Sequence, residues 1–271
     1  MIHNRNTGEL LYSSNGDSLR NAKLPNTNLF NAGLANRDLS GADLRGVNLC
    51  AADMSGCNLV RANLSHADLS GANLQNADLR GVDLSDARVL GVNFKGANLE
   101  GADLTRASLF LANLSGANLS SARLNRIDAA DAQCESTQFT GADLSGATFT
   151  RANLTGTNLS FCSLISAALT DCELAGANLR EADLTLSNLS GTTLTGADFT
   201  DAVFCRTLLV GLSDLHNALG LLDVVQNGAS SLDHRTLTRC LSGLPDAFLE
   251  GAGYSPDVIS KLREIYTPGA K

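Results

Sequence analysis

Chemistry in a protein is carried by a few residue types, and in this chain each occurs without the spacing that chemistry needs. Seven cysteines stand at Cys50, Cys57, Cys134, Cys162, Cys172, Cys205 and Cys240. None forms a Cys-x-x-Cys pair, and an odd number in a chain of 271 residues does not suit a disulfide framework. The histidines, His3, His66, His216 and His234, are scattered and make no metal-ligand spacing. Carboxylates are abundant, but most of those in the first 210 residues stand at one fixed place before a Leu. Their pairing is therefore a product of a pattern, and none stands apart as a general acid or base would. Serine is everywhere, and His66 falls at an ordinary outward position, so no Ser/His/Asp constellation is marked. Glycines stand singly and form no phosphate-cradling loop. These residues point to no enzyme, no metal and no cofactor.

The pattern that places them is a repeat, visible in GADLRGVNLC, GANLQNADLR, GANLEGADLT and GANLREADLT. Its period is five. A central residue recurs from Leu19 to Leu209 without a slip, in thirty-nine places, thirty-five of them Leu or Phe. The exceptions are Met54, Val89, Ala129 and Cys134. Two positions earlier sits a small residue such as Ala42, Ala62, Cys57, Cys162, Cys172 or Thr192. One position earlier sits Asp or Asn, one later often Ser or Thr, and two later often Gly. Each unit thus puts a small and a large apolar residue two apart on one side, which is strand periodicity over a very short run. Asp, Asn, Ser and Gly then supply turns. A helix would need apolar spacings of three and four, and so many glycines would weaken it. A turn in every five residues describes a coil rather than a globule. Low aromatic content (4%, no Trp) fits a core of Leu beside Ala. One stretch, ARLNRIDAADAQCESTQF, departs from the rule. Its central places hold Ala129 and Cys134, and Ile127 fills a small place. Two readings stand: neutral exchange of volume between neighbours, or a local bend or bulge over residues 124–139 that shapes a binding surface.

The unit A(D/N)LxG resembles the pentapeptide-repeat proteins, over about 70% of the chain. The resemblance implies an all-β solenoid, a right-handed quadrilateral parallel β-helix with four pentapeptides to each twenty-residue turn. Period five alone does not set how many units close a coil. Stacked at ~4.8 Å, such coils make a rod roughly 45 Å long. Proline cannot donate in a ladder of this kind, and none occurs between Pro25 and Pro245. Residues 1–16 read as an N-terminal cap hairpin about Asn6-Thr7-Gly8. They also resemble the I-x-N-R-x-T-G-E opening of many such arrays, with Asn4, Arg5 and Thr7 as turn and surface residues. Residues 17–211 form the array. Residues 212–271 read as a small α-helical module. Its helices are expected over Arg235 to Leu241, from Pro245 through Leu249, and from Ser255-Pro256-Asp257 onward, with Val258, Ile259, Leu262 and Ile265 on one face. This part also resembles the segment that precedes Toll/interleukin-1 receptor (TIR) domains in bacterial pentapeptide-repeat proteins. Gly220-Leu221, Ser230-Ser231, Thr236-Leu237, Leu244-Pro245 and Phe248-Leu249 are among the matching residues. With the sequence ending at Lys271, no TIR activity is assigned to it. The module is expected either to cap the rod or to dock a partner.

Function is read from the outside of the rod. Some pentapeptide-repeat proteins mimic DNA and bind type II topoisomerases such as gyrase. Residues 17–210 carry 20 acidic and 14 basic side chains, whereas duplex DNA of the rod's length carries roughly 27 charges. Acidic and basic residues share every face, and no loop interrupts the array, so this alternative is disfavoured. Outward apolar residues are the better lead: Leu90, Phe110 and Leu111 in one group, and Phe161, Ile165 and Leu186 in another. Clusters of this kind mark contact surfaces. The expected protein is a non-enzymatic scaffold that binds an unidentified partner protein, or a second copy of itself, through its solenoid surface. A TIR-linked adaptor or sensor is a further alternative. The net charge of −8 argues against nucleic acid as a partner. No apolar run is long enough for a membrane span, and no signal peptide is evident, so the expected location is cytoplasmic.

Overall fold

A computed structural model describes residues 1–13 and 18–266. From Lys23 to Leu208 the backbone is a ladder of parallel bridges, each joining a residue to the one twenty further on, as in Lys23 to Asp43, Asn28 to Asn48, Gly33 to Asp53 and Asp38 to Asn58. Four such columns run through every coil, which makes the cross-section quadrilateral. The bridging residue is the Asp or Asn before each central residue, so its side chain points out while its neighbours point in. Central residues Leu24 to Phe204 and the small residues beside them are nearly all buried, in one continuous core. Each coil satisfies the next: Leu44 N–H donates to Asn63 O at 2.7 Å and Gly46 N–H to Ser65 O at 2.9 Å.

The four corners of each coil share one geometry. The small residue donates back to the central residue three earlier, as Ala42 N–H does to Leu39 O at 3.0 Å. The second corner residue has φ near +60° at every unit from Asn21 to Arg206. This is the type II turn, whose third position requires a left-handed backbone. Gly occupies many of these places, and Asn21, Asn26, Asn31, Asn36 and Asn76 several others, the residues that tolerate it best.

The stretch over residues 124–139 does not bulge. Bridges Asp128 to Thr148 and Gln133 to Asn153 keep the twenty-residue register, and Ala129 N–H donates to Thr148 O at 2.7 Å. Ile127, Ala129 and Cys134 are all buried. Volume lost at Ala129 is regained at Ile127, and the expectation of a bulged binding surface there is not met.

At the N-terminal end, β1 (Ile2–His3) pairs antiparallel with β2 (Leu10–Tyr12), the expected hairpin. The array boundary placed at 16/17 lies outside the described residues. Asn4 Oδ1 accepts from Asn6 N–H (2.9 Å) and Thr7 N–H (3.1 Å), shaping the turn. The hairpin lies antiparallel across the first coil, with Asn4 bridging Ala32. Arg5 donates to Asn31 Oδ1 at 2.9 Å and to Ala51 O at 2.5 Å, clamping the cap to two coils. Asn4, Arg5 and Thr7 are thus parts of the cap itself.

At the other end, one further coil follows the pentapeptide array. β3 (Val203–Cys205) pairs parallel with β5 (Val225–Gly228), and β4 (Leu208–Leu209) with β6 (Ser231–Leu232). Asp198 bridges Leu219. A last coil therefore exists, but its repeat is no longer twenty: Val203 opposes Val225 and Leu208 opposes Ser231. Where the coil lengthens, Asp214 replaces a ladder carbonyl, its Oδ2 accepting from Leu194 N–H and Thr195 N–H at 2.9 Å each. Three short helices follow: α1 (His234–Cys240), α2 (Asp246–Gly251) and α3 (Pro256–Tyr266). They lie within one or two residues of the expected positions.

This module closes the rod. Asp233, the N-cap of α1, accepts from Thr236 N–H (2.9 Å) and also from Gly211 N–H (3.0 Å), a donor of the array's edge. Thr236 Oγ1 accepts from Leu212 N–H at 3.0 Å and donates to Asp233 Oδ1 at 2.6 Å, with Leu209 O 3.1 Å away. The core continues across the junction through edge-to-face rings, Phe199 on Phe204 at 5.4 Å and Phe204 on Phe248 at 6.3 Å. Arg263 of α3 donates to Leu241 O and Leu244 O at 2.7 Å each and pairs with Asp246. Capping is therefore the structural role of the module.

Candidate functional site

Two surface properties could serve function: how charge is arranged, and where apolar side chains stand out. Charge is arranged in pairs. Asp86 pairs with Arg106, Asp103 with Arg123 and Asp131 with Arg151, each one coil apart at 2.5–2.6 Å. Asp43 pairs with Arg45 and Asp78 with Arg80, two residues along, at 2.6–2.7 Å. The guanidinium beside each of Asp43, Asp78, Asp86 and Asp131 holds the carboxyl below its ordinary range. Elsewhere the Ser or Thr two positions later does the same from both hydroxyl and N–H. Ser40 acts in this way on Asp38, and at Asp68, Asp103 and Asp143 such bonds outweigh partial desolvation. Eight aspartates of the array thus face a cation, while others such as Asp38 and Asp143 are held in their charged form by a neighbouring Ser.

The six candidate contact residues occupy three of the four corner columns. Leu90 and Phe110 stand in one column, one rung apart, joined through Gly91 N–H to Phe110 O at 2.9 Å. Leu111 is the second residue of the same corner as Phe110. Leu90 is half-buried, Phe110 is 36% exposed and Leu111 57%. Phe161 lies on the diagonally opposite corner column, 58% exposed. Ile165 (37%) and Leu186 (50%) share the corner column between these two, Leu186 one rung on from Ser166. The first group is therefore one compact patch. The second is spread across a face, Phe161 at one edge and Ile165 with Leu186 at the other.

Three of the six share a further property. Leu111, Phe161 and Leu186 are the second residues of their corners, with φ of 59°, 60° and 59°. A bulky side chain in this conformation costs about 1–2 kcal/mol. Their exposure regains little of that by burial. The column neighbours of Leu111 are Gly91 and Asp131, and those of Phe161 are Gly141 and Glu181, so neither leans on an apolar neighbour there. Elsewhere the same positions hold Gly, Asn, Ser, Asp, Arg, Ala, His or Glu. These three therefore break a local rule of the fold without a packing reason.

Sequence reasoning missed other exposed apolar residues. Phe30 (49%) heads the column of Leu90 and Phe110. Leu219 (56%), Leu222 (69%) and Val225 (43%) ring the last coil. Phe30 could have been found by reading its column at spacing twenty. The other three lie where the pentapeptide register has ended, and no periodicity marks them.

Cysteines add no chemistry. Burial pushes the Cys57 thiol up to about 11 and those of Cys162 and Cys172 up to about 12. Each donates to a carbonyl one coil back: Leu34 O, Phe139 O and Phe149 O. Among the described residues no group of His, Cys, Asp and Glu could hold a metal ion, and no helix is long and apolar enough to cross a membrane.

Comparison with known proteins agrees with this geometry. A model of pentapeptide repeats matches the chain in overlapping segments between residues 18 and 204, leaving out only 87–89 and 127–131, which hold Val89 and Ala129. Among solved structures, HetL from the cyanobacterium Nostoc sp. strain PCC 7120, a pentapeptide-repeat protein involved in heterocyst differentiation regulation, is 32% identical, with a TM-score of 0.62 over 78% of this chain and 90% of that one. QnrB1, a plasmid-mediated fluoroquinolone resistance protein, is 24% identical, with a TM-score of 0.60 over 70% of this chain and 94% of that one; it shares the fold. No curated protein matches the chain. Neither the family model nor HetL nor QnrB1 indicates a catalytic family. With its register unbroken and the match spanning most of its length, the chain belongs to the pentapeptide-repeat family and has that family's right-handed β-helix.

Proposed function

We propose that this protein is a non-enzymatic scaffold that works by binding a partner protein through apolar residues on the corners of its solenoid. The observation that carries this reading is the placement of Leu111, Phe161 and Leu186, exposed and in a left-handed backbone that Gly would occupy without strain. Proteins break local rules of this kind at functional sites. Leu90 and Phe110 extend Leu111 into a patch, and such patches on otherwise polar surfaces are contact sites. The likeness to HetL, which acts in regulation, supports a regulatory rather than a metabolic role. The partner is expected in the cytoplasm.

The gyrase-directed alternative has less support. Aspartates paired rung by rung with arginines do not imitate a duplex backbone, and the resemblance to QnrB1 speaks only for the fold. A TIR-linked adaptor role rests on the resemblance of the C-terminal segment alone. A Phe110→Ser/Leu111→Ser variant tests the main reading by affinity capture from the native host and by light scattering. Loss of a captured protein, or of a dimer, supports it. Unchanged mass with all captured proteins retained refutes it, and quinolone protection of gyrase in a supercoiling assay would favour the alternative.

A further inference from the structure

The basic residues of the array fall into two sets. Arg45, Arg80, Arg88, Arg106, Arg123, Arg151 and Arg180 each hold an aspartate. Among the described residues, Arg20, Lys23, Arg37, Arg61, Lys95, Arg126 and Arg206 have no carboxylate within ion-pair distance. Lys95, Arg126 and Arg206 stand apart on other corners, but Arg20, Lys23, Arg37 and Arg61 are not scattered. They gather within the first coils, on one corner column and the two faces that meet there, in a chain whose net charge is −8. Along that corner runs an open groove of about 650 Å³. Gly41, Gly81 and Gly101 form its floor, and Arg20, Arg61 and Arg80 stand beside it.

The floor offers no free backbone donors. Gly41 N–H is bonded to Val60 O at 2.9 Å, Gly81 N–H to Glu100 O at 2.9 Å and Gly101 N–H to Ser120 O at 3.0 Å. Whatever lies in the groove must be held by side-chain charge. Arg80 is engaged by Asp78, which leaves Arg20 and Arg61 free within it, with Lys23 and Arg37 alongside. From Arg20 to Ser121 the groove spans five rungs, ~24 Å, the length of about seven residues of extended chain. Over that length a DNA duplex carries about 14 charges. It would also meet Glu100 in the groove and Asp38 at its edge. The site suits a few well-separated negative charges better than a dense row.

We propose that this groove binds an extended acidic peptide segment of a partner protein. This site is separate from the apolar corner patch and does not depend on it. Fluorescence anisotropy with fluorescein-labelled deca-glutamate tests it on the intact chain. Binding is expected at low salt, weakening as salt rises because the contacts are exposed charges. R20E/R61E should weaken it about tenfold or more, R20Q/R61Q by less, and R126E, on another corner, hardly at all. Circular dichroism confirms that each variant is folded, and these exposed side chains hold no coil together. The proposal is overturned if the wild-type protein fails to bind deca-glutamate, if R20E/R61E binds as well as wild type, or if oligothymidylate of equal charge binds more tightly.

Discussion

At the scale of single residues, the small inward place admits polar groups because a carbonyl of the coil before it, or of the same coil three residues earlier as for Thr157 and Ser187, supplies an acceptor. Thr137 donates to Leu114 O at 2.8 Å, Thr192 to Leu169 O at 2.9 Å and Thr207 to Leu184 O at 2.9 Å, in the same way as Cys57, Cys162 and Cys172. A buried hydroxyl or thiol without such a partner would be costly. The consequence is testable with a thiol reagent at pH 8. Half-buried Cys50 and Cys205 should react in the native protein, while Cys57, Cys134, Cys162 and Cys172 should wait for unfolding. Asp233 gives a second residue-scale prediction. Although desolvation raises its pKa, the hydrogen bonds from Thr236 and Gly211 prevail and lower it to about 2. A carboxyl lowered on folding stabilises the native state above the unfolded value near 4 and loses that contribution as pH falls toward 2. Melting curves of wild type and Asp233→Asn should therefore converge between about pH 4 and pH 2. Curves that stay parallel would remove Asp233 from the rod's closure.

At the scale of elements, the array was legible in the sequence and its two ends only in part. Every central place from Leu24 to Leu209 is buried as its column requires. The N-terminal hairpin and the three helices lie close to where turn and cap residues put them. The last coil was not legible, because its residues oppose partners more than twenty away and it carries no pentapeptide unit. Gly220 marks this change. It has φ of +70°, and a Cβ there would lie 2.3 Å from Thr200 N. Gly220→Ala should cost about 2–3 kcal/mol, read by chemical denaturation, since neither the backbone conformation nor the space allows a side chain. Ile127 gives the matching test inside the array. Ile127→Ala should cost about 2–5 kcal/mol, as a central Leu→Ala would. If it costs less than about 1 kcal/mol, Ile127 does not make up for Ala129.

At the scale of the whole molecule, the protein is a capped rod whose surface is made of repeated, mostly self-satisfied units. Pairs such as Asp86 with Arg106 cancel part of its charge, and the net −8 resides on the carboxylates outside them, interspersed with basic residues. Against so uniform a surface, exceptions stand out. The outward apolar residues were visible in the sequence from their columns. Their meaning was not, because only the backbone shows that Leu111, Phe161 and Leu186 sit where φ is positive. The free cations of the groove were likewise visible as residues but not as an unpaired set. The central claim, that strained exposed residues are kept for contact with a partner, is tested most directly by Leu111→Gly/Phe161→Gly, measured together for thermal stability and for capture of the host partner. Removing two strained side chains, at about 1–2 kcal/mol each less about 0.5–1 kcal/mol of chain entropy for each Gly, should raise stability by about 1–2 kcal/mol, a melting temperature a few degrees higher, while partner capture is lost. A variant that melts lower than wild type, or that captures its partner undiminished, would contradict the account.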